Sequence, residues 1–258
     1  MDTRLRARRA LVTASSKGLG LACARALIEE GAEVCINGRD PDTLERAAAA
    51  LRQLSAGVRA VVADITTAAG RQRLLEEAGE LDILVTNIGG MAVKPGGAMS
   101  DQDWMGSVEA LMLPPISLIN AVLPRMMANG WGRIVNLTSS AVKAPIPGLD
   151  SSTACRLGLA GFTAGRAKEA IGRGVTINSI LPGRIMTDRQ QAAVRREALR
   201  SGLTVPEQQA RMEQAIPAGR FGRSDEVGAL CAFLCSEQAG YVTAQNILID
   251  GGAFPGTL

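Results

Sequence analysis

The chain has 258 residues, 47% of them apolar, and 28 Lys and Arg against 25 Asp and Glu leave a net charge of +3. That length suits one α/β domain with a large core, and a balance this even, with no basic run interleaved with aromatics, speaks against nucleic acid as a partner. Histidine is absent, which excludes His-based metal sites and any Ser-His-Asp triad.

Short apolar runs alternate with helical stretches from end to end. The runs at 10–13, 34–36, 58–62, 83–85, 134–137, 175–177 and 247–249 show no polar-apolar alternation, so they read as strands buried on both faces. Stretches rich in Ala, Leu, Arg and Glu lie between them, as at 21–30 and 42–54. Strands separated by helices predict a single α/β domain over 1–258, a Rossmann-type doubly wound parallel sheet of about seven strands. Arg4, Arg6, Arg8 and Arg9 cluster ahead of the first strand and read as a solvated lead-in. Residues 187–218 break the rhythm: they are polar and helical in composition, between the sixth and seventh strands. A lid over a substrate pocket and an ordinary surface excursion both explain them.

Five cysteines, with no C-x-x-C pair and an odd count, fit free thiols in a reducing compartment. Cys231 and Cys235 would share a helix face, which core packing explains as well as a metal does. The N-terminus is charged and no apolar run approaches roughly 18 residues, so neither a signal peptide nor a membrane span is expected, and the cytoplasm is the expected location.

The first strand runs into Thr13-Ala14-Ser15-Ser16-Lys17-Gly18-Leu19-Gly20 and then a helix. Glycines there let the backbone approach a diphosphate, and the free N–H groups at the helix start attract anions. A plain strand-to-helix turn has the same composition, but the position after the first strand of a βαβ chain strengthens the phosphate reading. The stretch resembles the Thr-Gly-x-x-x-Gly-x-Gly motif of the short-chain dehydrogenase/reductases, with Ala14 in place of the first glycine. Further resemblances follow in order: Asp64-Ile65 at the end of the third strand, Thr86-Asn87-Ile88-Gly89-Gly90 after the fourth, Leu181-Pro182-Gly183 through Thr187, and Asp250-Gly251-Gly252. They cover nearly the whole chain and are most similar to the 3-oxoacyl-acyl-carrier-protein-reductase-like branch. The resemblance implies a dinucleotide held by Thr13, Ser15, Ser16, Lys17, Gly18, Leu19, Gly20, Arg39, Asp64, Ile65, Asn87, Gly89, Arg156, Pro182, Gly183, Ile185 and Thr187.

Choice of dinucleotide is electrostatic. A carboxylate after the second strand bonds ribose hydroxyls and repels a 2′-phosphate, whereas a basic group welcomes it. Here the strand ends in Asn37-Gly38-Arg39, with Asp40 beyond, and Lys17 adds a second positive charge. NADP(H) is therefore favoured over NAD(H), although Arg39 and Lys17 also read as solvated surface charges.

The family resemblance implies an Asn, Ser, Tyr and Lys tetrad, and only the serine is matched. Ser139 closes the fifth strand; the Tyr and Lys positions fall on Ser152 and Arg156, and the Asn position on Leu111. The one tyrosine of the chain is Tyr241, near the last strand. A tyrosine with pKa about 10 can protonate a developing alkoxide once a lysine lowers that value; a serine is a far weaker acid, and arginine stays protonated. Candidates for the remaining work are Ser139 and Ser152 as an oxyanion site with water as proton source, Arg156 as ribose anchor and positive field, and Lys143 as proton donor. The leading expectation is an NADP(H)-dependent oxidoreductase acting on a carbonyl or imine in a small-molecule substrate. A non-redox lyase or dehalogenase-like enzyme and an inactive cofactor-binding protein are the alternatives. No metal site is expected. A homodimer or homotetramer is, through helices near Ala110 and Ala160 and the C-terminal strand, although Gly158, Ala160 and Gly161 equally suit packing on the sheet.

Overall fold

The computed structural model describes residues 2–89 and 96–257. Seven parallel strands form one sheet in the order β3-β2-β1-β4-β5-β6-β7. They are β1 (Arg9–Val12), β2 (Glu33–Gly38), β3 (Val58–Val62), β4 (Ile83–Thr86), β5 (Gly132–Leu137), β6 (Val175–Pro182) and β7 (Asn246–Ile249). Chain order runs outward from β1 to β3 on one side and from β4 to β7 on the other. The crevice above the carboxyl ends of β1 and β4 is thus the switch point where doubly wound folds take ligands. The expected single Rossmann-type domain is what forms.

Helices cover both faces. α1 (Gly18–Glu29), α2 (Pro41–Arg52) and α9 (Ser224–Cys235) lie on one. There Leu27, Leu44, Ala48, Val227 and Leu234 pack on Val12, Ile36, Val85 and Val135. α3 (Ala68–Ala78), α5 (Leu113–Ala128) and α6 (Asp150–Ala170) lie on the other, next to α4 (Asp101–Leu111). There Leu74, Leu118, Leu123 and Ala167 meet Leu11, Leu84, Ile134 and Ile177. Neighbouring residues of one strand face opposite cores, which is why the strands carry no alternation. Local chemistry sets the helix starts: Asp40 accepts the Thr43 N–H at 2.7 Å ahead of Pro41, and Ser100 and Asp103 form a reciprocal capping box.

Among the described residues one stretch, Asp101–Ala128, is long and apolar enough in composition to cross a membrane. It is the α4–α5 pair, and Leu118, Ile119, Leu123 and Met126 of α5 are fully buried in the core. Residues 187–218 contain α7 (Asp188–Ser201) and α8 (Val205–Gln214), which share a small core of Val194, Ile216 and Phe221 with Met186 and Met212. Cys231 and Cys235 are fully buried beside Cys23, and no acidic or thiol cluster suited to a metal occurs among the described residues. Gly158 faces inward, where an added Cβ would lie 2.9 Å from Met112, while Gly161 faces open space.

The arginine-rich lead-in is more than solvated. Arg8 stacks on the Trp131 ring at 3.7 Å, and Arg133, 3% exposed, lies on it at 4.5 Å. Trp131 Nε1 donates to Glu237, which sits within 4.0 Å of both guanidiniums. Arg133 also donates to the Ser236, Gly132 and Gly174 carbonyls. Burial pushes its pKa down while Glu237 opposes that.

Candidate active site

The turn after β1 is built by side chains that never leave it. Thr13 Oγ1 donates to the Asn87 carbonyl at 2.7 Å and accepts the Asn87 N–H at 2.8 Å, locking β1 to β4. Ser15 Oγ donates to the Val12 carbonyl at 2.6 Å and accepts the Asn37 N–H at 3.0 Å. Asn87 Nδ2 donates to the Ala14 carbonyl at 2.9 Å. Thr13 and Ser15 are fully buried, so of the predicted contacts these two shape the backbone and offer no side chain to a ligand. Asn37 completes the pin: its Oδ1 accepts the Ala14 N–H at 3.3 Å and its Nδ2 donates to Val61 and Ala63 carbonyls at 3.1 and 3.0 Å.

Two glycines do what other residues cannot. Gly18 has φ +59, in the left-handed region, and a Cβ on Gly20 would lie 2.6 Å from the Ala14 carbonyl oxygen. Ala14 itself has φ +43, a conformation that its methyl strains. No side chain caps α1, whose N-cap is Lys17, so the first-turn N–H groups of Gly18, Leu19 and Gly20 have no side-chain acceptor among the described residues. This is an anion site in waiting, and the residues present fit a dinucleotide diphosphate.

Beyond β2, Arg39 is exposed and its Nη1 stands 3.7 Å from Asp64 Oδ2. Asp40, the nearest acid to a ribose-binding position, is occupied in capping α2; the Thr43 hydrogen bonds hold its carboxyl below the ordinary range, and Lys17 adds to this. Asp64 lies two residues past the end of β3 rather than on it, and its carboxylate accepts the Thr66 N–H and hydroxyl. Those hydrogen bonds and Arg39 lower its pKa against the opposing effect of burial. Ile65 is buried in the core, so only its backbone is available on this side. Asn87 and exposed Gly89 follow β4, and Gly90 lies outside the described residues.

Ser139 also falls beyond its strand, two residues after β5, and starts a 3-10 turn over Ser140–Val142. Its Oγ accepts the Ala141 N–H at 3.1 Å. Ser152 lies in the first turn of α6, and Arg156 one turn on donates Nε–H to Ser152 Oγ at 3.1 Å and Nη1–H to the Leu137 carbonyl at 3.4 Å. The structure therefore brings Ser152 and Arg156 to the end of β5, close in chain to Ser139. Burial, and then the charge of Arg189, push the Arg156 pKa down to about 10, still a cation at neutral pH. Lys143 is exposed at the end of the 3-10 turn, and its backbone N–H donates to the Ser140 carbonyl at 2.9 Å. Leu111 is buried at the end of α4, and Tyr241 is 99% exposed near β7, where it serves no cleft.

The segment after β6 closes the crevice from the other side. Pro182 ends the strand, and Gly183 passes so close to Asp250 that a Cβ would lie 2.7 Å from its Cβ. Ile185 is buried and bridges Gly222; Thr187 caps α7 by accepting the Gln190 N–H at 3.3 Å and faces Gly18, with its methyl 3.9 Å from where a Cβ would stand. A groove of about 830 Å3 touches the crevice at Gly18, Met186, Thr187 and Asp188 and then runs outward along α1 and α9. Ser139 and Ser152 do not line it. Sequence reasoning missed the pinning role of Asn37 and the influence of the Arg189 charge on Arg156. An asparagine at the end of a buried strand was the available signal for the first.

The family model described as enoyl-(acyl carrier protein) reductase matches residues 13–253. The 3-oxoacyl-(acyl-carrier-protein) reductase FabG of Haemophilus influenzae is 31% identical over 249 residues, covering 95% of this chain and 97% of that protein. Dehydrogenase/reductase SDR family member 4 of Oryctolagus cuniculus is 32% identical over 252 residues, 95% of this chain and 92% of that one. Among solved structures, L-sorbose reductase from Gluconobacter frateurii, complexed with NADPH and L-sorbose, superposes with a TM-score of 0.94 at 27% identity over the whole of both chains. YwfH, an NADPH-dependent reductase involved in bacilysin biosynthesis, does so with 0.90 at 26% identity over 97% of this chain and 100% of that one.

Proposed function

This chain belongs to the short-chain dehydrogenase/reductase superfamily, and we propose that it is an NADP(H)-dependent reductase of a carbonyl or imine that works without the family's tyrosine acid. One observation carries the reading: a glycine turn pinned from beneath, opening onto a first helical turn that no side chain caps. NADPH-linked structural relatives support the phosphorylated dinucleotide, as does the Arg39 and Lys17 pair with Asp40 engaged elsewhere. When bound, the reduced nicotinamide supplies the hydride.

The remaining work falls to this chain's own residues. Gly18, Leu19 and Gly20 hold the diphosphate through backbone N–H groups, with Ser16 and Lys17 at the rim and Thr187 opposite. Arg39 and Lys17 take the 2′-phosphate; Asp64, Asn87, Gly89, Pro182, Gly183 and Ile185 form the walls. Ser139 and Ser152 each accept a hydrogen bond from the protein, so each has its own hydroxyl proton left to donate. Two such donors, with the Arg156 cation behind Ser152, stabilise the negative charge that grows on the substrate oxygen. Arg156 is too weak an acid to give up its proton near neutral pH, so water delivers it; Lys143 is a second source at the solvent side. Residues 187–218 act as the lid, a helical hairpin with its own small core.

The five buried free thiols suit the cytoplasm, and exposed Met105, Leu113 and Leu157 suit self-association into a dimer or tetramer.

Calorimetry with NADP+ and NAD+, followed by NADPH oxidation against a panel of carbonyls and imines, tests the reading. Tighter NADP+ binding and turnover of at least one compound are expected. A folded sample giving no heat with either dinucleotide overturns it. Binding without turnover points to an inactive cofactor-binding protein, which the loss of the tyrosine favours. Product formed without nicotinamide points to a non-redox enzyme.

A further inference from the structure

The groove that leaves the crevice along α1 and α9 has an apolar floor. Leu21, Ala22 and Ala26 line it from one helix, and Ala229, Ala232 and Phe233 from the other. The helices touch beneath it, since a Cβ on Gly228 would lie 2.7 Å from the Ala22 carbonyl oxygen. Hydrogen bonds fix both ends. At the crevice, Ser224 Oγ donates to the Met186 carbonyl at 3.3 Å, which brings the start of α9 to the start of α7. At the far end, Glu237 N–H, just past α9, donates to the Thr3 carbonyl at 3.2 Å. Thr3 Oγ1 in turn donates to Glu30 at 2.7 Å, beside the end of α1.

Two carboxylates line each end: Asp188 and Asp225 near the crevice, Glu29 and Glu30 at the far end. One of each pair is neutralised, Asp225 by Arg223 at 3.1 Å and Glu29 by Arg25 at 2.8 Å. Asp188 and Glu30 pair with no cation among the described residues, and Glu30 has only the neutral Thr3 hydroxyl. In a chain of net charge +3, the groove is a place of opposite sign. α1 has 12 residues at about 1.5 Å each, so the two ends stand on the order of 15 Å apart.

A trough of methyl groups between two uncompensated carboxylates complements a slender chain with a cation at each end. A peptide suits it less. Both walls are helices that bond their own N–H and C=O groups, so a peptide backbone laid between them would give up water for no partner. A methylene chain has no such groups to satisfy.

We propose that the groove binds a long linear polyamine, one terminal ammonium at Asp188, the other at Glu30, and the methylene spine on the alanines between. Inner ammonium groups keep to the open side, in water. The site makes no use of the dinucleotide and stands apart from the reductase reading.

Calorimetry on the full-length protein at low salt, without dinucleotide, should give a single spermine site per chain that weakens as salt screens it. Asp188→Asn and Glu30→Gln, the second keeping an acceptor for Thr3, should each cost about three- to fivefold in affinity, and both together about tenfold. Acetylspermine, with one end neutral, and putrescine, too short to reach both ends, should bind more weakly than spermine. Glu76→Gln, on α3 across the sheet, should change nothing. No spermine binding overturns the proposal, as does binding weakened equally by Glu76→Gln and Asp188→Asn, or putrescine held as tightly as spermine. A peptide with arginines spaced to reach both ends, if bound more tightly than spermine, overturns it in favour of a protein partner. Spermine binding seen only after Phe233→Ser disperses a dimer overturns it in favour of a second copy of the chain.

Discussion

Replacing Asn37 with alanine tests whether the glycine turn is held from beneath. The side chain is 1% exposed and makes three hydrogen bonds to backbone, to Ala14 N–H, Val61 O and Ala63 O. At about 1 kcal/mol for each bond lost, more where a buried group is stranded, Asn37→Ala should cost about 3 kcal/mol. That is a fraction of the roughly 5–15 kcal/mol of a typical domain, so the variant still folds. With an unfolding entropy of about 2.1 cal/mol/K per residue, the whole chain gives about 0.5 kcal/mol/K and a fall in Tm of about 6 °C. Urea titration measures the free energy, and calorimetry with NADP+ should show affinity reduced about fivefold as the Ala14 amide is released. Asn37→Asp separates the contributions: it keeps the acceptor for Ala14 but sets a buried carboxylate against two carbonyls, and should be at least as damaging. A loss under about 1 kcal/mol with unchanged NADP+ affinity would refute the pin.

The Ala14→Gly variant should gain about 0.5 kcal/mol, since relief of about 1 kcal/mol of left-handed strain outweighs the added freedom of the unfolded chain; a loss in denaturant titration would deny that the φ of +43 is strained. For Arg39→Glu, NADP+ affinity should fall at least about tenfold at low salt while NAD+ is less affected, with the gap narrowing as salt screens the exposed charge; equal losses for both dinucleotides would remove Arg39 from 2′-phosphate recognition. On the proposed reading that Ser152 and Arg156 stand at the family's Tyr and Lys positions, Ser152→Tyr with Arg156→Lys should raise kcat on carbonyls, and no gain in a folded, NADPH-binding variant would show that the acid is not what limits the rate. Glu226 accepts from Arg220 and from the Arg223 N–H, which hold its carboxyl at about 2 against an ordinary 4.5. A depressed folded-state pKa stabilises above the ordinary value and loses that stabilisation as pH falls toward the folded one. The stability gap between parent and Glu226→Gln should thus be full at neutral pH and shrink between about 4.5 and about 2; a gap independent of pH would contradict the pairing.

Most of the seven strands were legible because they bury both faces, which leaves apolar runs; the edge strands β3, with exposed Arg59, and β7, with no residue fully buried, are covered less completely. Strand ends were less legible. The sixth apolar run spans 175–177, yet β6 continues to Pro182 through Asn178 and Ser179, both buried. Asn178 is tolerated there because its Nδ2 donates to the Val242 carbonyl at 2.7 Å, a partner 64 residues away that no local pattern reveals. Asn37 is hidden from local pattern for the same reason, since the carbonyls it holds, Val61 and Ala63, lie on β3 and just after it. Thr13 and Ser15 read as ligand contacts because hydroxyls beside a phosphate turn invite that role, whereas the fold consumes both hydroxyls in keeping the turn rigid. Ser152 and Arg156 were legible from spacing, but the influence of the Arg189 charge on Arg156 was not, because the two stand on different elements, α7 and α6.

The Trp131 sandwich has a consequence for how such a chain can change. Arg8, Arg133 and Glu237 clasp the amino-terminal edge of the sheet, at the foot of β5, while every group assigned to chemistry departs from the opposite edge. Holding the scaffold and doing the reaction are thus separate labours at separate ends. Groups at the upper rim can therefore be exchanged without loosening the clasp below, so new reactivity can be explored on a frame that stays put.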